Sequence, residues 1–204
     1  MIKGQIGGIF PVPLYRATLN RKFTGQELRF VEKMKEKCTP NIGNVSTINT
    51  HILNAPSFTT LKNEVTFFLK DYLTQVTAAP KSISPYVTQS WLNYTEKNNY
   101  HHKHNHPNSY ISGVIYINAD KAHDTFTFEH NKYEQIKLPV TKRNIFNSDT
   151  LSFPVGSGEV MIFPSSLVHS VEKKKGNNTR VSLSFNVFLK GSLGEESRLT
   201  ELKI

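Results

Sequence analysis

The segment Tyr100-His-His-Lys-His-Asn-His-Pro107 contains four of the eight histidines in the chain. Successive side chains of a strand point to opposite faces, so His102, His104 and His106 would project to one side. Imidazole nitrogens at that spacing are typical ligands of a first-row transition metal. A histidine-rich surface loop with incidental affinity for divalent cations is the alternative for such a tract on its own. Two distant segments favour the metal site.

The first of these is Gly156-Ser-Gly-Glu-Val-Met-Ile-Phe-Pro-Ser-Ser-Leu-Val-His-Ser-Val171. A single histidine in an apolar setting is more often a hydrogen-bonded core residue than a metal ligand. Here, however, a strand ends at Phe163-Pro164, and a tight Ser-Ser turn leads straight back through His169. That return would place the imidazole of His169 at the mouth of a barrel, where it could be a third ligand.

The second distant segment, residues 179–187, alternates between apolar and polar side chains. Its apolar face has Val181, Leu183, Phe185 and Val187, and its polar face has Arg180, Ser182, Ser184 and Asn186. Such a polar face is either solvated, as is common in antiparallel sheets, or the lining of a cavity. In a cavity, Arg180 and Ser182 would offer a guanidinium and a hydroxyl group to a carboxylate.

The composition is that of a globular protein. The 204 residues, 37% apolar and 11% aromatic, fit one domain that can bury a core. Cys38 is the only cysteine, which excludes an intrachain disulfide framework and fits a reducing compartment. We recognise neither a secretory signal nor an apolar stretch long enough to cross a membrane, so we expect a soluble cytoplasmic protein without a membrane partner.

The formal charge of +9 and the pI near 9.6 would suit an acidic partner. The densest basic run, Lys173-Lys174-Lys175, is predicted to be a solvated loop. Interleaved aromatic and basic residues, typical of a groove for single-stranded nucleic acid, are not found. Only the net charge therefore favours a nucleic-acid partner.

The elements before residue 86 are predicted to support the rest. Two prolines at alternate positions make residues 9–19 an edge strand. The capping-box pattern Thr24-Gly-Gln-Glu27 starts a helix over residues 25–37, and residues 39–56 are predicted to be a loop. A second helix carries one apolar stripe and ends before Pro80; the stripe is Leu61, Val65, Phe68, Leu69, Tyr72, Leu73 and Val76.

From residue 86 the pattern is that of strands. We predict strands at 86–94, 99–106, 110–118, 125–129, 150–153, 159–164, 168–172 and 179–189, which favours a sandwich or barrel. Within the third, Ser112-Gly113 would leave room beside the histidines. Residues 130–149 are predicted to be a long loop of the kind that covers a site, and the polar tail from Gly191 to be mobile. We therefore expect one domain, with support elements at 1–85, a β core at 86–190 and a tail at 191–204.

These motifs, taken in order, resemble the iron(II)- and 2-oxoglutarate-dependent oxygenases. The series is Trp91-Leu-Asn93, His104-Asn-His-Pro-Asn-Ser109, Ser112-Gly-Val-Ile-Tyr116, Phe163-Pro-Ser165, His169 and Arg180-Val-Ser-Leu-Ser-Phe-Asn186. It is most similar to small, prolyl-hydroxylase-like oxygenases of bacteria and tailed phages, and Phe10-Pro-Val-Pro13 matches their opening. The resemblance implies a mainly β protein with a double-stranded β-helix core, which is jelly-roll or cupin-like, supported by about two N-terminal helices.

The resemblance also implies a ligand set. His104 matches the first iron ligand, His169 the distal one, and Arg180 and Ser182 the pair that holds the far carboxylate of 2-oxoglutarate. The usual second ligand is Asp or Glu, whereas this chain has His106.

Alternatives at the second ligand remain open. A carboxylate could come from Asp120, Asp124 or Glu129, but His106 is preferred because its spacing from His104 is local. His102 would replace it if the register shifted by two, while His101 is expected at the surface. Three imidazoles also admit zinc, nickel or manganese in place of iron.

The activity implied is the oxidative decarboxylation of 2-oxoglutarate to succinate and CO2 with O2, coupled to hydroxylation of an unknown substrate. The alternatives are a non-catalytic metal-binding jelly-roll module, of a virion or for carbohydrate, and a three-histidine cupin dioxygenase that does not use 2-oxoglutarate. The substrate could be a protein side chain, a nucleobase or a small metabolite, and the oligomeric state is open. The segment Lys132 to Asp149, with Lys137, Lys142 and Arg143, is predicted to be a substrate-facing lid that is mobile without substrate.

Overall fold

The computed structural model describes residues 4–130, 136 and 138–204. The elements before residue 84 are, in chain order, β1 (Tyr15–Thr18), α1 (Gly25–Lys35), β2 (Cys38–Asn41), β3 (Asn44–Thr47) and α2 (Thr59–Tyr72). The strands that follow are β4 (Ser84–Thr95), β5 (His101–His104), β6 (Ile111–Asn118), β7 (Thr125–Glu129), β8 (Thr150–Pro154), β9 (Glu159–Pro164), β10 (His169–Val171), β11 (Arg180–Lys190), β12 (Ser192–Leu193) and β13 (Leu202–Lys203).

Strands β4 to β11 are divided between two antiparallel sheets as in a jelly roll. The larger sheet has seven strands in the order β1-β9-β6-β11-β4-β3-β2, and the smaller has four in the order β5-β10-β7-β8. The eight predicted strands are confirmed, with ends that differ by at most two residues. The predicted fold class, a mainly β chain with a double-stranded β-helix core and N-terminal helices, is therefore confirmed.

Two apolar clusters hold these layers together. One lies under the helices, where Leu183 of β11 belongs to the same cluster as Leu61 of α2. The other lies between the two sheets and includes Phe126 and Phe163. Because β11 is covered on both faces, its polar side chains line the interior of the barrel instead of facing solvent.

Helix α1 begins at the predicted capping box. Thr24 Oγ1 accepts a hydrogen bond from the Glu27 amide (3.2 Å), and a Glu27 carboxylate oxygen accepts one from the Thr24 amide (2.7 Å). Arg21 joins α1 to α2, because its guanidinium lies 2.7 Å from Glu27 and 2.8 Å from Glu64. The helix ends at Lys35, two residues earlier than predicted, since β2 already starts at Cys38.

The prediction of a loop over residues 39–56 is wrong, because strands β2 and β3 form a hairpin there. Their two-residue turn is Ile42-Gly43, and Gly43 has a φ of +87°, a conformation that glycine adopts without strain. Short strands rich in Asn and Thr carry little apolar periodicity, which is why the pattern was not visible. The hairpin extends the larger sheet beside β4.

The chain termini flank this core. The N-terminal segment supplies an edge strand, β1 beside β9, but only Tyr15–Thr18 of the predicted residues 9–19 is strand, and the two prolines precede it. The tail contains a small hairpin of β12 and β13, so its polar composition does not prevent regular structure. No helix of the described residues is long and apolar enough to cross a membrane.

Candidate metal centre

Three histidines from two distant parts of the chain meet where β5 ends and β10 begins. One ring nitrogen from each of His104, His106 and His169 lies within 4.8 Å of the other two. Strands β5 and β10 are antiparallel neighbours, and His104 lies directly opposite His169 in their register. This pairing brings together residues that are far apart in the sequence.

Backbone carbonyls orient two of the three rings. Nδ1 of His104 donates to the His102 carbonyl (2.8 Å), and Nδ1 of His169 donates to the Leu167 carbonyl (2.9 Å). Since a carbonyl only accepts, both rings carry their proton on Nδ1 and leave Nε2 free for a ligand bond. Nε2 of His169 lies 3.2 Å from Nε2 of His106.

Aromatic side chains surround these imidazoles. The centroid of the His169 ring lies 4.9 Å from that of Phe163 and 5.3 Å from that of Phe126, and the Trp91 ring lies 5.7 Å from His106. Burial lowers the pKa of His169 to about 3 and that of His106 to about 4. The imidazoles are therefore neutral at physiological pH, which is the form that metals bind.

His101 faces the interior, so the expectation that it is a surface residue is wrong. Between His104 and His101 the register of β5 against β10 shifts, as three residues of β5 span two of β10. This bulge breaks the alternation of side chains, and the His101 ring stacks on His104 at 4.5 Å. Burial, with smaller effects of neighbouring histidines and Arg180, lowers the pKa of His101 to about 2.

The alternative carboxylates are engaged elsewhere. Glu129 pairs with Lys103 (2.9 Å), and Asp120 with His123 (2.7 Å). In the described part of the chain, no carboxylate belongs to a group of three potential metal ligands. His106 is thus the residue that completes the group around His104 and His169.

Asp124 forms a buried ion pair with Lys174 (3.4 Å). Lys174 is 3% exposed, so the prediction of a fully solvated lysine run is wrong at its central residue. Asn178 bonds to both partners, since it accepts from Lys174 (2.7 Å) and donates to Asp124 (3.1 Å). These contacts supply the hydrogen bonds that a buried charge requires.

Arg180 is enclosed in the barrel, at 2% exposure. One of its terminal nitrogens donates to the Thr125 carbonyl (3.1 Å), and its guanidinium carbon lies 5.8 Å from the centre of the Tyr116 ring. Nε of Arg180 and the hydroxyl of Tyr116 are buried without a hydrogen-bond partner in the described residues. Arg180 also forms no ion pair with a described carboxylate, and its burial lowers its pKa.

Ser182 lies on β11, two residues after Arg180, and is 3% exposed. In the register of the larger sheet it is opposite Tyr116 on one side and Asn93 on the other. Asn93 in turn donates to Ser184 (3.0 Å) and accepts from Ser46 (2.8 Å). The inner face of the sheet is therefore polar from β3 to β6.

Sequence reasoning missed a hydrogen-bond network that holds the His106 loop. Ser165 donates through its hydroxyl to Ser109 (2.8 Å), and Ser112 lies 2.8 Å from Ser165 and donates to Asn186 (3.0 Å). The His106 amide donates to the Ser165 carbonyl (2.9 Å). The signal was present in the recurring serines of the motifs at 104–109 and 163–165.

Gly113 makes room on the opposite face from the histidines, so the prediction about it is wrong. A Cβ atom built at this position would lie 2.2 Å from Cζ of Phe185. Gly113 pairs with Phe185 in the sheet, and the ring belongs to the cluster under the helices. The glycine therefore serves core packing.

Comparison with known proteins identifies this arrangement. Residues 89–186, which include all three histidines and Arg180, match the family described as "Putative 2OG-Fe(II) oxygenase". Over that part, which is just under half of its length, the chain matches the iron(II)- and 2-oxoglutarate-dependent oxygenases. The match indicates that this chain is a dioxygenase whose cofactors are Fe(II), 2-oxoglutarate and O2. No curated protein matches its sequence.

Solved structures share the fold of this oxygenase at low sequence identity. An oxidoreductase of the 2OG-Fe(II) oxygenase family from Burkholderia pseudomallei is 15% identical, with a TM-score of 0.56 over 85% of this chain and 83% of that one. HygX from Streptomyces hygroscopicus, with nickel, 2-oxoglutarate and hygromycin B bound, is 12% identical, with a TM-score of 0.59 over 86% and 82%. A Pseudomonas putida prolyl-4-hydroxylase is 10% identical, with a TM-score of 0.54 over 86% and 92%.

Proposed function

We propose that His104, His106 and His169 hold the Fe(II) of this oxygenase, and that Arg180 with Ser182 binds the far carboxylate of 2-oxoglutarate. The observation that carries the proposal is the buried guanidinium of Arg180, which forms no ion pair with a described carboxylate and feels the charge of Asp124 only as a minor effect beside its burial. An unpaired buried charge costs several kcal/mol, roughly 3–5 when one partner of a buried pair is removed. A carboxylate ligand would supply the missing charge and accept from Nε.

The donor set fits a metal ion. Two nitrogens that bind one metal at about 2.1 Å and at right angles are about 3.0 Å apart. The 3.2 Å between Nε2 of His106 and Nε2 of His169 is close to that value. Imidazole suits Fe, Zn, Ni and Cu, so several of these ions could occupy the site in purified protein. Bound Fe(II) would supply O2 activation and the oxidation of the keto acid.

Polar atoms around Arg180 are available to bind 2-oxoglutarate. The Thr125 carbonyl fixes one terminal nitrogen of Arg180, which leaves Nε available to a carboxylate. Tyr116 offers its unpaired hydroxyl from the neighbouring strand, and Ser182 lies opposite Tyr116 in the register. Phe126 and the other aromatic residues between the sheets exclude water, which strengthens such charged hydrogen bonds.

The loop between β7 and β8 is the candidate substrate lid. Its ends meet, because the His130 amide donates to the Asp149 carbonyl (2.8 Å). Of its predicted basic residues, Lys132 and Lys137 lie outside the described residues. Among the described residues of this loop, the apolar side chains of Ile136 and Leu138 are 78% and 72% exposed. We therefore extend the proposal to a protein or small-molecule substrate with an apolar surface, which this lid would contact.

The place of action is inferred from the free cysteine and from the resemblance. The free Cys38 fits a reducing compartment, and the resemblance is to oxygenases of bacteria and tailed phages. We propose the cytoplasm, which would be the host cytoplasm if a phage encodes the protein. Detection of the protein in fractionated cells would test this.

The central proposal is tested by adding Fe(II) and 2-oxoglutarate without oxygen. The wild-type protein should give a visible charge-transfer band and, once oxygen is admitted, succinate. Arg180→Gln should lose both at 2-oxoglutarate concentrations that saturate the wild type. Arg29→Gln, which changes an exposed arginine of α1, is the matched control. If no band forms and Arg180→Gln changes nothing, the assignment of these residues is wrong.

A further inference from the structure

His104 belongs to a second group of three histidines. One ring nitrogen from each of His101, His102 and His104 lies within 4.8 Å of the other two. The ring centroids are 4.5 Å apart for His101 and His104, 4.8 Å for His102 and His104, and 5.2 Å for His101 and His102. The bulge in β5 creates this group, because it turns consecutive side chains towards the same space.

One nitrogen of this group lacks a partner. Nδ1 of His102 is buried and forms no hydrogen bond within the described residues. A buried polar atom without a partner costs about 1–3 kcal/mol, which a metal ion could offset by accepting its lone pair. Nε2 of His101 accepts from the amide nitrogen of Asn41 in the β2–β3 hairpin (3.3 Å), so a metal bound to His101 would replace this hydrogen bond. Lys103 is paired with Glu129, so its charge is partly neutralised.

His104 can serve only one metal at a time. Its Nδ1 proton is used in the hydrogen bond to the His102 carbonyl, which leaves Nε2 as its single ligand atom. The group with His101 and His102 therefore shares that atom with the group formed by His106 and His169. An ion in either position excludes a full ligand set in the other.

We propose that His101, His102 and His104 form a second metal position, for a first-row cation that favours imidazole, and that it competes for His104 with the iron centre. The competition rests on the proposed role of His104 in binding iron. Zn(II), Ni(II), Cu(II) and Co(II) all suit such a set. A metal bound there leaves only His106 and His169 at the iron centre, so an excess of these cations would disable the enzyme.

The test is a Co(II) titration of the metal-free full-length protein, followed by visible absorption. The double variant His106→Ala, His169→Ala retains only the second group and should bind one Co(II) per chain. Adding His102→Ala should weaken this binding at least about tenfold, since even the loss of an outer-shell partner costs that much. The wild type should bind one Co(II), because the positions share His104.

Three results would overturn the proposal. They are no Co(II) binding by a folded double variant, equal binding by the triple variant, and two Co(II) per chain in the wild type. Circular dichroism checks folding, and His106→Gln with His169→Gln replaces the alanine pair if that pair does not fold. The single variant His102→Ala isolates the other centre. If it fails to bind Fe(II) with 2-oxoglutarate while the double variant binds Co(II), the proposed iron site is wrong and the second position stands.

Discussion

The side chains of Arg180 and Tyr116 meet inside the barrel, with the guanidinium carbon 5.8 Å from the ring centre. Each presents a buried donor without an acceptor in the described residues, Nε in one case and the hydroxyl in the other. Two unmet donors side by side are unfavourable in the protein alone. A ligand with several acceptor oxygens would accept hydrogen bonds from both donors.

Tyr116→Phe separates ligand binding from folding. Because the hydroxyl has no partner without ligand, its removal should leave the free energy of unfolding of the ligand-free protein unchanged or slightly higher. The affinity for 2-oxoglutarate should fall roughly tenfold or more, since a hydrogen bond to a charged group contributes about 1.5–3 kcal/mol. Calorimetry with Ni(II)-loaded protein and urea denaturation would measure the two quantities. An unchanged affinity would remove Tyr116 from the site.

In a protein that already carries His102→Ala, which removes a ligand of the second position, His169→Ala should abolish stoichiometric metal binding. The variant loses the ligand that comes from β10, and the two remaining residues, His104 and His106, lie on one short stretch. The matched control is His123→Ala, which removes an exposed histidine paired with Asp120 (2.7 Å). Metal analysis after dialysis against Fe(II) or Zn(II) would measure the metal content per chain of the variant and of the control. Full metal occupancy in the double variant His102→Ala, His169→Ala would refute the assignment.

Stability of the metal-free protein should fall as the pH drops below about 6.5. Burial lowers the pKa of His169 to about 3 and that of His106 to about 4, whereas in the unfolded chain both stay near 6.5. The unfolded state therefore binds more protons in that window, so the free energy of unfolding decreases with falling pH. Melting curves in the presence of a chelator, from about pH 7 to pH 5, avoid most carboxyl titration. His169→Gln should flatten the slope; an unchanged slope contradicts this cause.

Gly113→Ala should destabilise the fold. The added Cβ would lie 2.2 Å from Cζ of Phe185, which is too close for any contact, and overpacking of a core costs about 1–3 kcal/mol. Gly156→Ala is the control, since its Cβ would have no neighbour nearer than 3.6 Å. Phe185→Leu should recover part of the loss in the Gly113→Ala background. Urea denaturation of the wild type, the two alanine variants and the Gly113→Ala, Phe185→Leu double variant would measure these differences in the free energy of unfolding. Equal stability of the two alanine variants would disprove the clash.

Shortening the candidate lid should abolish substrate oxidation without abolishing the binding of metal and 2-oxoglutarate. The His130 amide and the Asp149 carbonyl are already 2.8 Å apart, so residues 131–148 can be replaced by a two-residue Asn-Gly turn. We expect metal and 2-oxoglutarate binding to persist and substrate oxidation to be lost. Mass spectrometry of host-cell lysate incubated with each iron-loaded protein would detect gains of one oxygen atom. Equal gains with the shortened protein would argue against this lid.

Much of the architecture could be predicted because it depends on neighbours in the sequence. The capping box at Thr24 and the alternation in β11 are set by residues two to four positions apart, and both are present in the structure. The order of the motifs was enough to predict the family match over residues 89–186. Hairpin β2–β3 was missed because the local signal was confined to the turn at Ile42-Gly43.

Only the tertiary structure decided which side chains face each other. The bulge in β5 places His101 inside, although strict alternation puts it outside. Lys174 belongs to a run that the sequence predicts to be solvated, whereas in the fold it pairs with Asp124. Gly113 is required because the Phe185 ring packs against it. The burial of Arg180 without an ion pair to a described carboxylate likewise depends on everything packed around it. Register and burial are set by pairing between distant strands, and that pairing has a free energy that belongs to the whole fold instead of any short segment.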